Sequence, residues 1–452
     1  MSTDKTSPGT APANSATALV QRIRDGEISA SEALTAYIAR IDESEETIQA
    51  WDYLARDNAR KQAEIADKAR RQGAPMGALH GVPLGVKDIF DTFDMPTQYG
   101  TPLHKDRRPR EDAFAVERLR SQGAIMLGKT STTELATYAP GVTKTRNPHN
   151  PEHTPGGSSS GSAAAVAAGQ VPAALGTQTN GSVIRPASFC GVWGYKPSFG
   201  LISRSGVLRQ APALDQVGVL AATLQDAGLV AQHMMVHDSR DSAMRPRAAP
   251  NLQAAAGELP PVTPLMAFVK TPVWEQADSE TQEAFGELAQ ALGEAVTEIA
   301  LPESFAHIHT MHKTVMEAEI ARNYHRDYER GADQLSDGLR GQIERGREVR
   351  AVDYIRSTES IGALAAIADE ILNDYDAFLT PAAPGTAPHG LDDTGSAAFC
   401  TIWTYLGMPA LSIPLMTGSN GLPMGVQLVG ARGDDARLFR MANWLVGTVS
   451  GS

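Results

Sequence analysis

From residue 156 to residue 168 the chain carries no side chain larger than valine. Gly156-Gly157-Ser158-Ser159-Ser160-Gly161-Ser162 runs directly into Ala163-Ala164-Ala165-Val166-Ala167-Ala168. A Gly/Ser run alone reads as a flexible linker. One that continues without a break into an alanine helix instead opens that helix, in a place so crowded that only Ala and Gly fit. Whatever surrounds this segment must therefore form a large core. Strand signals on both sides supply one. Gly81-Val82-Pro83-Leu84-Gly85-Val86-Lys87 alternates with period two, and Ala124-Ile125-Met126-Leu127 is a short, wholly apolar run. Residues 265–269, 377–379, 410–415 and 426–429 read as further strands. Ser29-Ala30-Ser31-Glu32 is a capping box, followed by Leu34, Ile38 and Ile41 at helical spacing, and residues 434–446 close the chain as a helix. Strands interleaved with helices imply an α/β fold. Residues 1–15 read as a disordered tail rich in Ser, Thr, Pro and Ala. Residues 16–452 read as one large domain, in which 223–345 form a peripheral, mainly helical layer after an Ala/Pro-rich linker at 244–264.

Charge narrows the function. A formal net charge of −12 lacks the basic footprint that phosphate backbones require, so no nucleic-acid partner is expected. No run of 18 or more apolar residues offers a membrane span, and the first residues lack the apolar stretch of a secretory signal. A cytoplasmic protein, monomeric or homodimeric, is the expectation. Cys190 and Cys400 show no metal-ligand spacing, and no His/Cys/Asp/Glu cluster does either. Neither metal nor cofactor is expected.

Three short patterns imply three different proteins. Gly123-Ala124-Ile125-Met126-Leu127-Gly128-Lys129-Thr130 matches the phosphate-loop expression and would make the chain a nucleotide-binding protein through Lys129. Its four middle residues are themselves an apolar strand, however, so their amides belong to a sheet and cannot wrap an anion. Gly157-Ser158-Ser159-Ser160-Gly161 fits a nucleophile elbow centred on Ser159. An elbow must follow a buried strand, and the residues before it, 147–155, are all loop formers.

The third pattern is a constellation: Gly85-Val86-Lys87-Asp88, the 156–165 run, Gly176-Thr177-Gln178-Thr179-Asn180-Gly181-Ser182-Val183-Ile184-Arg185-Pro186, and Cys190-Gly191-Val192-Trp193-Gly194-Tyr195-Lys196-Pro197. These segments, in this order and with Ser158 and Ser182 separated by 24 positions, resemble the amidase signature family. The similarity extends nearly end to end, to the Gly421-Leu422-Pro423-Met424-Gly425 stretch. The resemblance implies an α/β fold, a single large mixed β-sheet flanked by helices on both sides. It implies a Ser-cisSer-Lys triad in which Ser182 attacks the carbonyl, Ser158, joined to Gly157 by a cis peptide bond, relays the proton, and Lys87 is the base. The backbone N–H groups of Thr179, Asn180, Gly181 and Ser182 would form the oxyanion hole. Hydrolysis of C–N bonds in amides or carbamates (urethanes) follows, with small aryl or alkyl amides the first expectation. A glutaminase subunit of a tRNA-dependent amidotransferase is the rival within the resemblance.

The chemistry is coherent on its own terms. A serine hydroxyl needs a base to become nucleophilic, and lysine serves once burial favours its neutral form. Pro83 and Gly85 share the Lys87 face and leave room for close backbone approach. Two departures stand out: Gln178 where many relatives carry an acid, and Asn180 where they carry glycine. His80, just ahead of the lysine strand, is read as structural. Tyr138, Trp403 and Tyr405 are expected to line an aromatic entrance to the substrate site.

Overall fold

A computed structural model describes residues 14–137 and 143–451. Eleven strands join in one sheet: β1 (Trp51–Leu54), β2 (Pro83–Lys87), β3 (Ile125–Thr130), β4 (Ala173–Gln178), β5 (Trp193–Lys196), β6 (Gln216–Ala221), β7 (Met266–Val269), β8 (Val296–Ile299), β9 (Ala377–Pro381), β10 (Ala410–Thr417) and β11 (Pro423–Val429). Their order across the sheet is β1-β3-β2-β4-β6-β5-β10-β11-β9-β7-β8. The sheet is mixed: β3, β2 and β4 run parallel, as do β9, β7 and β8, while the centre from β4 to β9 pairs antiparallel.

Successive residues of a strand point to opposite faces, and here they enter two separate cores. On β7, Met266 and Phe268 join one core while Ala267 and Val269 join the other. On β9, Ala377 and Leu379 part from Phe378 in the same way. The first core is closed by helices that include Ser279–Leu292 and Asp435–Ser450. The second is closed by Ile308–Asn323, Ala351–Ile371 and Ala398–Tyr405. Helices therefore cover both faces, as buried strands require.

The capping box forms as read: Ser29 Oγ accepts from Glu32 N at 3.0 Å, and Glu32 Oε2 accepts from Ser29 N at 2.9 Å. The expected tail reaches too far into the chain. Residues 1–13 lie outside the described residues, but Ser15 caps the helix Ala16–Asp25 and donates to Asp226 Oδ1 at 3.0 Å. Residues 223–345 supply helices, as their texture suggests, and also the strands β7 and β8 at one end of the sheet. The 244–264 stretch contains the short helix Leu252–Ala255.

Candidate active site

Lys87 is the last residue of β2, fully buried between β3 and β4. A side chain at Gly85, two residues earlier and on the same face, would strike Thr130 Cγ2 at 2.9 Å and Ala174 Cβ at 3.2 Å. The neighbouring strands can close on the lysine because that position is glycine. Lys87 Nζ donates to Ser158 Oγ at 2.7 Å and to Thr177 Oγ1 at 2.8 Å. It meets no carboxylate at ion-pair distance among the described residues. Burial pushes its pKa well below the ordinary lysine value; the field of Asp215 opposes this and that of Arg185 adds to it. The environment thus favours a neutral amine, which can accept a proton from a hydroxyl.

Ser158 follows a cis peptide bond from Gly157. Arg185 holds this bend, donating from Nη2 to Gly157 O at 2.5 Å and from Nη1 to Gly395 O at 2.6 Å. The helix that follows, Ser160–Ala167, is wholly buried through Val166. A Cβ on Gly161 would lie 2.1 Å from Ala50 O, which explains why the run tolerates only small residues. Ser159 faces inward. Its Oγ lies 3.3 Å from both Thr177 O and Thr177 N, bonded to β4 and away from the cavity described next.

Ser158 and Ser182 line one cavity of about 490 Å³, together with Thr179, Asn180 and Gly181. The loop from Thr179 to Ser182 leaves the end of β4, and its carbonyls are tied outward. Thr179 O accepts from His312 Nε2 at 2.9 Å, and Asn180 O accepts from Thr404 Oγ1 at 2.5 Å. Burial brings the His312 pKa down to about 4, so the ring is neutral and carries the proton it donates. Gln178 acts beneath the loop. Its Oε1 accepts from Val183 N at 2.8 Å and Ile184 N at 2.9 Å, and its Nε2 donates to Thr404 Oγ1 at 2.9 Å. With the carbonyls engaged elsewhere, the amides of Asn180, Gly181 and Ser182 meet no acceptor among the described residues. Free amides gathered at one turn can hold an oxygen that gains negative charge. Asn180 also fixes its own side chain, Oδ1 accepting from Thr401 Oγ1 at 2.7 Å.

Several residues of this arrangement escape sequence reasoning. Asp215, His312, Thr401 and Thr404 lie outside the segments that carry the resemblance, and Thr177, inside one of them, has no role implied by it. The Thr401/Thr404 pair at i, i+3 is the one local signal, because that spacing puts both hydroxyls on one helix face. The aromatic entrance is not formed as expected. Trp403 and Tyr405 share the helix Ala398–Tyr405 with those threonines but point away from the cavity. Trp403 is fully buried and stacks on Phe378 with ring centroids 5.0 Å apart; the Tyr405 hydroxyl donates to Ser357 O. Helical rotation of about 100° per residue explains Trp403, which lies on the side of the helix opposite Thr401. Tyr405 lies near Thr401 in helix phase, but its ring runs to Ser357 and not into the cavity. Tyr138 lies outside the described residues. The cavity wall instead mixes apolar residues such as Ala136, Met316 and Ala397 with the polar side chains of His309, Lys313, Gln342, Arg345 and Asp393.

The remaining candidates are structural. His80 is buried, with Nε2 3.0 Å from Ala66 O, and does not line the cavity. The 123–130 segment contributes β3, and Lys129 is buried in an ion pair with Asp88 at 3.2 Å. Its Nζ also donates to Phe90 O at 2.8 Å and Thr97 Oγ1 at 2.6 Å. That lysine is spent on the fold. No group of three or more His, Cys, Asp or Glu residues is placed to hold a metal among the described residues, and none of their helices is long and apolar enough to cross a membrane.

Residues 32–439 match the Amidase family. The chain is 33% identical over 461 residues to a glutamyl-tRNA(Gln) amidotransferase component from Chloroflexus aggregans, covering 92% of this chain and 93% of that protein. Among solved structures, it is similar to the native peptide amidase of Stenotrophomonas maltophilia, with a TM-score of 0.84, 27% identity and 97% of each chain covered. It is also similar to a 6-aminohexanoate cyclic dimer hydrolase complexed with substrate, with a TM-score of 0.85, 27% identity, and 96% and 97% of the two chains covered.

Proposed function

Since the chain belongs to the amidase family, whose members act on C–N bonds, we propose that it hydrolyses amides through an acyl-enzyme on Ser182, with Ser158 as proton relay and Lys87 as base. One observation carries the reading: a buried lysine amine, with no carboxylate partner among the described residues, lies 2.7 Å from Ser158 Oγ, at a cavity that Ser182 also lines.

In this reading Ser182 Oγ attacks the carbonyl carbon as its proton passes to Ser158, whose own proton passes to Lys87. The oxyanion is held by the amides of Thr179, Asn180, Gly181 and Ser182. The ammonium of Lys87 then returns a proton through Ser158 to the leaving nitrogen, and the C–N bond breaks. Water enters by the same relay, attacks the acyl-enzyme and frees Ser182. Small aryl or alkyl amides are the proposed substrates. Carbamates present the same scissile C–N bond and are served by the same steps.

A second reading, that of a glutaminase component in a larger amidotransferase, is favoured by the 33% identity with the Chloroflexus protein over 92% of the chain. A panel of chromogenic anilides, carbamates and esters, offered to the purified chain without partner or ATP, separates the two. Turnover of an anilide by the chain alone supports the stand-alone amidase. Silence toward the whole panel, with glutamine hydrolysed only in a complex, contradicts it.

A further inference from the structure

We propose that Asp215 is a positioning residue of this site: its half-buried carboxylate, bonded to Thr179, clamps the start of the amide-bearing loop from behind. The inference rests on the reading of Lys87 and Ser182 given above. Asp215 directly precedes β6, and the pairing of Gln178 with Gln216 across β4 and β6 sets it level with Thr179. Thr179 Oγ1 donates to Asp215 Oδ1 at 2.6 Å and also lies 3.0 Å from Gln210 Oε1. Burial pushes the Asp215 pKa up, and the hydrogen bond from Thr179 opposes this. The same carboxylate accepts from Gln210 N at 3.0 Å and from Ala211 N at 3.0 Å, so a turn closes around it.

Thr179 is thereby held at two points. Asp215 fixes its hydroxyl, His312 fixes its carbonyl, and the next three residues carry the free amides. Asp215 and Thr177 both line a second cavity, of about 110 Å³, while Thr179 forms a wall of this one and of the larger one. Asp215 itself thus lies outside the lining of the larger cavity. Asp215 touches neither serine; it acts through Thr179.

A charge in this place also bears on the base. The groups whose charge reaches Lys87 are Asp215 and Arg185. Around Asp215 stand Arg204, whose Nη1 donates to Asp215 O at 3.3 Å while its guanidinium is paired with Asp241, and the buried phenol of Tyr324. Asp215 favours the ammonium form of Lys87. Removing its charge makes Lys87 easier to deprotonate, and the basic limb of kcat/KM should move to lower pH. A merely structural residue would not move that limb.

The test measures kcat and KM for a responsive anilide across the pH range for Thr179→Val, Thr179→Ser, Asp215→Asn and the Thr179→Val/Asp215→Asn double variant, with Ser182→Ala alongside. Thr179→Val should lower kcat by about ten- to hundredfold, as misplaced donors do, with KM little changed and the limb at its wild-type pH. Thr179→Ser, which keeps the hydroxyl, should recover most of that rate. Asp215→Asn should lower the plateau and shift the limb to lower pH, and the double variant should be no slower than Asp215→Asn alone. Wild-type kcat in Thr179→Val overturns the proposal, as does a folded Asp215→Asn enzyme with an unmoved limb. If Asp215→Asn fails to fold, the two Thr179 variants decide. Turnover surviving in Ser182→Ala would instead overturn the underlying reading of the site, whatever Asp215 does.

Discussion

Replacing Lys87 by methionine keeps most of the buried volume and removes the group proposed as the base. Three consequences can be worked out. First, kcat/KM should fall by at least about 10²–10⁴-fold, the range that general acid–base catalysis contributes. Second, the pH profile should change form. Burial favours the neutral amine, so in the wild-type enzyme kcat/KM should rise with pH as Lys87 loses its proton and then level off. The variant should have no such limb. Third, stability should respond with a definite sign. The folded-state pKa lies below the unfolded value of about 10.4, so between the two the unfolded chain binds more protons and wild-type stability rises with pH, by at most about 1.4 kcal/mol per pH unit. Lys87→Met removes this slope. It also leaves the hydroxyls of Ser158 and Thr177 without their donor, at about 1–3 kcal/mol each. Measured against the wild type, the variant should therefore be at its relative best at the low end of that window and lose ground as pH rises. Stopped-time anilide assays from about pH 6 to 10, spanning the range between a depressed and an ordinary lysine pKa, paired with calorimetric melting at each pH, read all three. A variant that keeps the wild-type limb and near-native rates would refute the reasoning, since the base would then be another group.

Lys129→Met breaks a buried ion pair and strands Asp88, so it should cost about 3–5 kcal/mol in stability. Melting temperature checks this, and the folded fraction should keep its kcat and show no nucleotide dependence. Gln178→Leu removes the acceptor of two buried amides and the donor to Thr404, at about 2–6 kcal/mol for the two amides together. It should lower both the melting temperature and kcat, because the loop it supports carries the site's free amides.

The parts of the site that were legible in the sequence are those whose chemistry is written in small residues. Gly85 and the 156–168 run must be small because strands and helices close on them, and crowding of that kind is visible without coordinates. Lys87, Ser158 and Ser182 are embedded in those segments. The supports are not, because they come from distant stretches with no local mark. His312 reaches Thr179 across 133 positions, and Thr404 reaches Asn180 across 224. Trp403 and Tyr405 misled because composition shows that aromatics are present, while helix phase for Trp403 and the direction of the side chain for Tyr405 decide that neither meets the cavity. β1, β4, β5, β6 and β8 are not among the strands read from the sequence, and in two of them the pattern is weak. β4, with the sequence AALGTQ, is fully buried beside β2 and β6, so it lacks the polar alternation that marks a half-exposed strand, and its alanines and glycine have low strand preference. β8 is short and sits at the end of the sheet, with Thr297 and Glu298 exposed.

The central claim is that Ser182 is the nucleophile, and covalent capture tests it most directly. The chain is treated with a fluorophosphonate, digested, and the modified peptide sequenced by mass spectrometry. The expected adduct is on Ser182, absent in Ser182→Ala together with turnover, and much slower to form in Lys87→Met. An adduct on Ser159, or full turnover in Ser182→Ala, would contradict the assignment.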